Sequence, residues 1–224
     1  MDSRSKPCPG ADPAARAAER LGLKLKALKP DVRQGLAAMQ IEIDRASREI
    51  EALKEKLIHA ETLADHDPLI PVLNRRAFIA ALSRTTAYVE RYGGEAAVLY
   101  LDLDDFKLIN DRFGHAAGDA ALRHFGRLLL DNVRETDTVG RIGGDEFGVI
   151  LVQVSKDEAR KKLKTLEDVI EATPCHYEGV EHIIRASIGL HSITKAEVAE
   201  DALARADEAM YAAKRHGKLM RTAS

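Results

Sequence analysis

The stretch Ala97-Val98-Leu99-Tyr100-Leu101-Asp102-Leu103-Asp104-Asp105 decides how this chain is read. An apolar run of strand length ends abruptly in acid. Such a run reads as a buried strand. A carboxylate at the end of a buried strand is costly without a counter-charge. Period-two alternation puts Asp102 and Asp104 on one face and Leu103 on the other. Further on, the strand-like segments 138–142 and 146–153 flank Gly143-Gly144, and Asp145-Glu146 follows the two glycines. If these strands neighbour the first, the two acidic groups meet at one edge of a sheet. Clustered like charges there need a cation, and all-oxygen ligation selects Mg2+ or Mn2+. Two such ions about 3.5–4 Å apart would support phosphoryl or nucleotidyl transfer. Gly143 and Gly144 carry no Cβ, so a nucleotide can approach the backbone. A short helix starting near Asp105 aims its N-terminal amides at the same edge, a seat for phosphates. Taken singly, the acids read as a solvated surface and the glycines as a hairpin turn. Their order along the chain (strand, acid, helix, hairpin, acid) favours a site.

Outward from this centre the elements alternate. The pattern predicts a helix over 75–91 ending at Gly93-Gly94, a short helix over 105–112 and a longer one over 117–134. A charged helix follows at 156–172, then strands near 174–178 and 182–193, and a last helix at 200–215. The order βαββαβ implies an α/β domain with helices layered on a mainly antiparallel sheet.

Upstream, residues 1–12 hold Pro7, Pro9 and Gly10 and read as a disordered tail. A helix is expected from Pro13 to Lys29, stopped by Pro30. Apolar or small residues then recur at Leu36, Met39, Ile43, Ala46, Ile50, Leu53, Leu57, Ala60 and Ala64, a heptad with a and d filled. Glu49 and Lys56 fall at g, and Lys54 and Glu61 at e. A parallel dimer would pair Glu49 with Lys54 and Lys56 with Glu61 across the seam. The expectation is a parallel coiled coil over about 36–64 inside a helical region 13–64. The plainer alternative is one amphipathic helix lying on its own domain. Asp65-His66-Asp67-Pro68-Leu69-Ile70-Pro71 breaks the pattern with two prolines and marks a boundary before a domain at 65–224.

The bulk numbers agree. Charged residues make up 31% of the 224, above the roughly 25% of average domains, as long exposed helices require. The net charge of −2 argues against a general nucleic-acid binder. No apolar run approaches a membrane span, and no secretory signal is visible. Cys8 and Cys175 fit no metal or disulfide framework. A cytoplasmic protein is expected.

Arg141-Ile142-Gly143-Gly144-Asp145-Glu146-Phe147 resembles the signature of GGDEF-type diguanylate cyclases. The segment Asp102-Leu103-Asp104-Asp105-Phe106-Lys107-Leu108-Ile109-Asn110-Asp111, then Phe113-Gly114-His115 and Gly118-Asp119, is similar to that family's first substrate motif. Ala206-Asp207-Glu208-Ala209-Met210-Tyr211-Ala212-Ala213-Lys214 is similar to its last helix. The resemblance spans about residues 65–219. It implies a palm-like fold related to adenylyl cyclases, and condensation of two GTP to cyclic di-GMP by a homodimer. Asp102, Asp145 and the carbonyl of Leu103 would hold Mg2+. Asp145 or Glu146 would assist deprotonation of the ribose 3′-hydroxyl. Asn110 and Asp119 would read guanine, with His115 beside the base. Phe106, Lys107, Gly143 and Gly144 would line the substrate, and Lys214 and Lys218 would hold the β- and γ-phosphates. Arg134-Glu135-Thr136-Asp137 resembles the family's inhibitory RxxD product site. Its plainer reading is an ion pair at a helix end.

Three departures stand out. Lys218 takes a place where arginine is frequent, giving a point charge rather than a fork. Asp105 replaces a frequent aromatic. Ile70-Pro71 replaces Thr-Gly in the turn before the first domain helix, which is expected to alter hinge stiffness. The rival reading of another class is a non-catalytic receptor for cyclic di-GMP or GTP that signals through its helices. The intact Asp102, Asp145 and Glu146 disfavour it. Within enzymes, Asp119 disfavours another nucleotidyl cyclase. A regulatory protein at the N-terminal helices is compatible with all of this.

Overall fold

The computed structural model describes residues 12–194 and 197–222, with side chains for all but 57–63 and 216–222. The expected tail up to Ala11, Cys8 with it, and the heptad side chains of Leu57 and Ala60 lie outside the described residues. The chain forms two compact units, 1–61 and 62–224.

The first unit is helical. Helix α1 (Pro13–Arg20) is capped by Asp12, whose carboxylate accepts from the Ala14 amide at 3.0 Å. The expected single helix to Lys29 is corrected: Gly22 turns to φ 66, and only a 3-10 turn (Leu25–Ala27) follows. A left-handed residue cannot continue a right-handed helix. Helix α2 (Pro30–Asp65) begins at Pro30 rather than after it, since proline's missing amide costs nothing in a first turn. Arg16 pairs with Asp44 at 2.8 Å, and Gln40 donates to the same carboxylate at 2.7 Å. The heptad residues Met39, Ile43, Ile50 and Leu53 are exposed in the single chain.

The second unit is built on a four-stranded antiparallel sheet. Its elements are α3 (Arg75–Tyr92), β1 (Ala96–Leu103), α4 (Phe106–Phe113), α5 (His115–Asp131), β2 (Thr138–Arg141), β3 (Glu146–Val152), α6 (Lys156–Ala172), β4 (Cys175–Tyr177), β5 (Val180–His182), β6 (Ala186–Ile193) and α7 (Ala199–Thr222). Strand order is β2-β3-β1-β6, so β1 is central. That position explains its unbroken apolar run. Leu99, Leu101 and Leu103 pack with Phe125 of α5 and Leu166 of α6. Val98 and Tyr100 pack on the other face with Phe78 of α3 and Met210 of α7.

Several expectations are corrected: the longer helix spans His115–Asp131 rather than 117–134, and the last helix spans Ala199–Thr222 rather than 200–215. The predicted strand 182–193 is broken at 183–185, between β5 and β6. Ile184 turns into the core while Ile183 stays exposed, and the Arg185 carbonyl accepts the Asp104 amide at 2.9 Å. A local alternation cannot reveal such a switch of partners. Ile70 of the Ile70-Pro71 turn also belongs to the domain core, while Pro71 is exposed. Ile70 is buried, and its side chain sits where a Cβ on Gly126 would be. The substitution therefore bears on packing, not only on a hinge.

Candidate active site

Pairing of β1 with β3 sets Asp102 directly opposite Glu146. The Leu103 amide extends the ladder to the Asp145 carbonyl at 3.1 Å. Asp102 and Glu146, 44 residues apart in the sequence, thus share one sheet edge. Phe147, fully buried, meets Phe125 edge-on with ring centres 5.0 Å apart and anchors the turn. The Gly-Gly turn is held from outside as well. Arg141 donates to the Gly144 carbonyl through Nε (3.1 Å) and Nη2 (2.6 Å), and its Nη1 reaches both oxygens of Asp67 at 3.3 and 3.2 Å. Asp67 also accepts from the Leu69 and Ile70 amides. One guanidinium therefore ties the entry turn of the domain to the acidic turn.

The charges are crowded. Burial pushes Glu146 above the usual carboxylate range, helped by Asp102, Asp145 and Asp207. A hydrogen bond from the Tyr100 hydroxyl opposes this, and burial together with the Glu146 charge pushes the Tyr100 phenol up. Burial and the neighbouring Asp145 and Asp104 raise Asp102, while Lys214 works the other way. The Lys214 ammonium hydrogen-bonds Asp102. Burial disfavours that ammonium, but the pull of Asp102, Asp104 and Asp145 outweighs it and its pKa rises. Asp104 accepts from the Ser187 hydroxyl at 2.8 Å.

Among the described residues, no three acidic, His or Cys side chains converge as a self-sufficient ion cage. Mg2+ is commonly held by one or two carboxylates completed by waters and substrate phosphates. Asp102, Asp145 and the Leu103 carbonyl fit that pattern: hard oxygen donors at one edge, with negative charge in excess.

Helices α4 and α5 pack against one another beside this edge. Gly118 is the floor between them: a Cβ there would fall 2.0 Å from Asn110 Oδ1 and 3.2 Å from the Phe106 ring. Asn110 and Asp119 are half-buried; Lys107 and His115 are exposed. The space beside Gly144 is open, whereas that beside Gly143 is filled by the Glu146 carboxylate. Asp105 takes the N-cap of α4 in left-handed backbone at φ 58. Lys218 belongs to α7, but its side chain lies outside the described residues.

The Arg134–Asp137 segment is a turn rather than an ion pair. Asp137 Oδ2 accepts from the Arg134 amide at 3.0 Å and Oδ1 from the Val152 amide at 3.2 Å. This leaves Arg134 exposed on a groove shared with Asp137, Lys161, Lys162 and Thr165. Sequence alone gives Tyr100 no site role, and Arg141 enters only as part of the signature. The strand pairing brings Tyr100 to Glu146.

A family model described as the diguanylate cyclase GGDEF domain matches residues 64–219. Diguanylate cyclase DgcP of Pseudomonas aeruginosa is 35% identical over 183 residues, covering 82% of this chain and 27% of that protein. Diguanylate cyclase DosC of Escherichia coli is 37% identical over 153 residues, 68% of this chain and 33% of that protein. The chain thus spans a third or less of these curated relatives. Among solved structures, the coiled coil and GGDEF domain of DgcB from Caulobacter crescentus, in complex with c-di-GMP, superposes with a TM-score of 0.74. It is 26% identical, over 80% of this chain and 96% of that one. Diguanylate cyclase SiaD in complex with its activator SiaC, from Pseudomonas aeruginosa, gives a TM-score of 0.69 at 26% identity, over 91% and 77%.

Proposed function

This chain belongs to the diguanylate cyclase GGDEF-domain family, and from that premise we propose that it joins two GTP molecules into cyclic di-GMP, releasing two pyrophosphates. The observation that carries the reading is the β1–β3 register, which sets Asp102 opposite Glu146 with Asp145 one residue away. Each 3′-hydroxyl attacks the α-phosphorus of the other nucleotide. A P–O bond forms to the ribose, the bond to the β-phosphate bridge breaks, and pyrophosphate departs. Bound Mg2+ supplies Lewis acidity, lowering the hydroxyl pKa and neutralising phosphate charge. Asp102, Asp145 and the Leu103 carbonyl would hold it. Asp145 or Glu146 takes up the hydroxyl proton. Asn110 and Asp119 select guanine, because a carboxylate accepts from its N1–H and 2-amino donors and adenine lacks that pair. His115, Phe106 and Lys107 lie along the nucleotide, and Lys214 and Lys218 meet its phosphates.

One unit binds one GTP, so the product requires two units facing one another. The exposed seam of α2 supports a parallel coiled-coil homodimer that raises their effective concentration. The Arg134–Asp137 groove suits product binding: an arginine forks onto a guanine edge or phosphate. Helices α1 and α2 are where a regulatory partner would act, as SiaC is the activator of SiaD. Among the described residues no helix is long and apolar enough to cross a membrane, and we place the enzyme in the cytoplasm.

The test is direct. The purified chain is incubated with GTP and Mg2+ and the products are separated by chromatography. Cyclic di-GMP is expected, and Asp145→Ala should abolish it while the fold persists. A folded, dimeric protein that makes none refutes the proposal.

A further inference from the structure

We propose that Lys214 is the resting counter-ion of Asp102, so that a divalent cation gains this carboxylate only together with the nucleotide. The inference rests on the functional reading above and concerns the order in which that site fills. Lys214 stands on α7, 112 residues from Asp102, and its ammonium is bonded to Asp102 Oδ1. Both side chains are largely withdrawn from water, at 24% and 13% exposure. Asp102 also lies in the field of two like charges, Asp104 and Asp145. An ionised carboxylate so placed is costly without a counter-charge, and a lysine supplies one from within the chain.

An ammonium and a divalent cation on one carboxylate repel each other and divide its charge. Bare Mg2+ or Mn2+ therefore binds weakly beside Lys214, or drives it off and leaves its ammonium half-buried without its partner. A nucleotide triphosphate changes this balance, because its phosphates offer the displaced ammonium a new anion. The flexible four-carbon stem of lysine, with a compact charge at its end, suits such a transfer. Cation and nucleotide then bind cooperatively, and the coupling is reciprocal. The acidic edge is also kept closed to free divalent ions.

The experiment measures Mn2+ binding to the full chain by electron paramagnetic resonance, with and without a non-hydrolysable GTP analogue. Wild type is expected to bind Mn2+ weakly alone and at least about tenfold more tightly with the analogue, a coupling of about 1.4 kcal/mol. Lys214→Met should bind Mn2+ alone about tenfold more tightly than wild type, bind the analogue more weakly, and lose most of the coupling. Lys164→Met, which removes an exposed charge paired with Glu167 and Asp168 and not with Asp102, should change affinity for the ion alone by less than about threefold. If Lys214→Met gains no affinity for the ion, or if Lys164→Met gains as much, the Lys214 ammonium is not a competitor and the proposal is overturned. Asp102→Asn separates the two readings. If it leaves Mn2+ binding unchanged even with the analogue, the assignment of the cation to Asp102 fails. If it removes that binding while Lys214→Met gains none, only the exchange fails. Circular dichroism of each variant confirms folding.

Discussion

Replacing Asp67 by alanine is expected to cost both stability and turnover, although Asp67 touches no substrate in the scheme above. Its side chain is 11% exposed and that of its partner Arg141 16%. It receives two contacts from Arg141 and one each from the Leu69 and Ile70 amides. Removing one partner of a buried pair costs about 3–5 kcal/mol, because the other charge is left uncompensated. Arg141 keeps the Gly144 carbonyl and some access to water, which argues for the low end, about 3 kcal/mol. For a domain of this size that lowers the midpoint by roughly 6–12 °C. Asp67→Asn keeps an oxygen acceptor for the two amides and should lose about half as much. In the alanine variant the guanidinium still bonds the Gly144 carbonyl but is no longer tethered to the entry turn, so the Gly144–Asp145 turn is set less firmly and kcat should fall about tenfold or more at saturating GTP. All five tyrosines (Tyr88, Tyr92, Tyr100, Tyr177 and Tyr211) lie in the unit 62–224, so tyrosine fluorescence during urea unfolding reports that unit alone. Stability within about 0.5 kcal/mol of wild type, the spread of an ordinary surface substitution, would refute the reasoning.

Gly118→Ala should raise KM for GTP about tenfold or more with a smaller change in kcat, since its methyl group falls on Asn110 Oδ1 and displaces the guanine reader; an unchanged KM places the base elsewhere. Tyr100→Phe removes the hydrogen bond that lowers the Glu146 pKa, so that pKa rises further. If ionised Glu146 assists deprotonation, the acidic limb of the kcat profile then moves to higher pH with KM little changed, and a limb that stays put or moves down contradicts the role. Glu146 also links folding to pH. Its folded pKa is raised, so the unfolded chain releases the proton first and stability falls as pH climbs from the ordinary carboxylate range through the folded value; Glu146→Gln should flatten that fall in urea titrations. Arg134→Ala should relieve inhibition by added cyclic di-GMP without altering initial rates, and undiminished inhibition locates the regulatory contact elsewhere.

Much of this molecule was legible in local pattern. The apolar run 97–103, the alternation around Gly143-Gly144 and the charged helix 156–172 each carry their periodicity in neighbouring residues, and each lies where expected to within a residue or two. Helix α6 even announces its start: Ser155 and Glu158 form a reciprocal capping box. The acidic motif residues were also legible, because strand ends and turns expose them. Tertiary structure decided what those residues meet. Period two says that Asp102 and Glu146 each face one side of a sheet, but only the antiparallel register makes them opposite neighbours. Tyr100 reads as one more core aromatic until β3 brings Glu146 to its hydroxyl. Ile183 and Ile184 are chemically alike, yet one is exposed and the other buried, because the chain changes partners between them. Lys214 reads as a phosphate ligand by analogy, while α7 packed across β6 and β1 delivers it to Asp102. Periodicity is a property of adjacent residues and is written in them. A contact between residues separated by 112 positions depends on how whole elements pack, and no short window of sequence carries that.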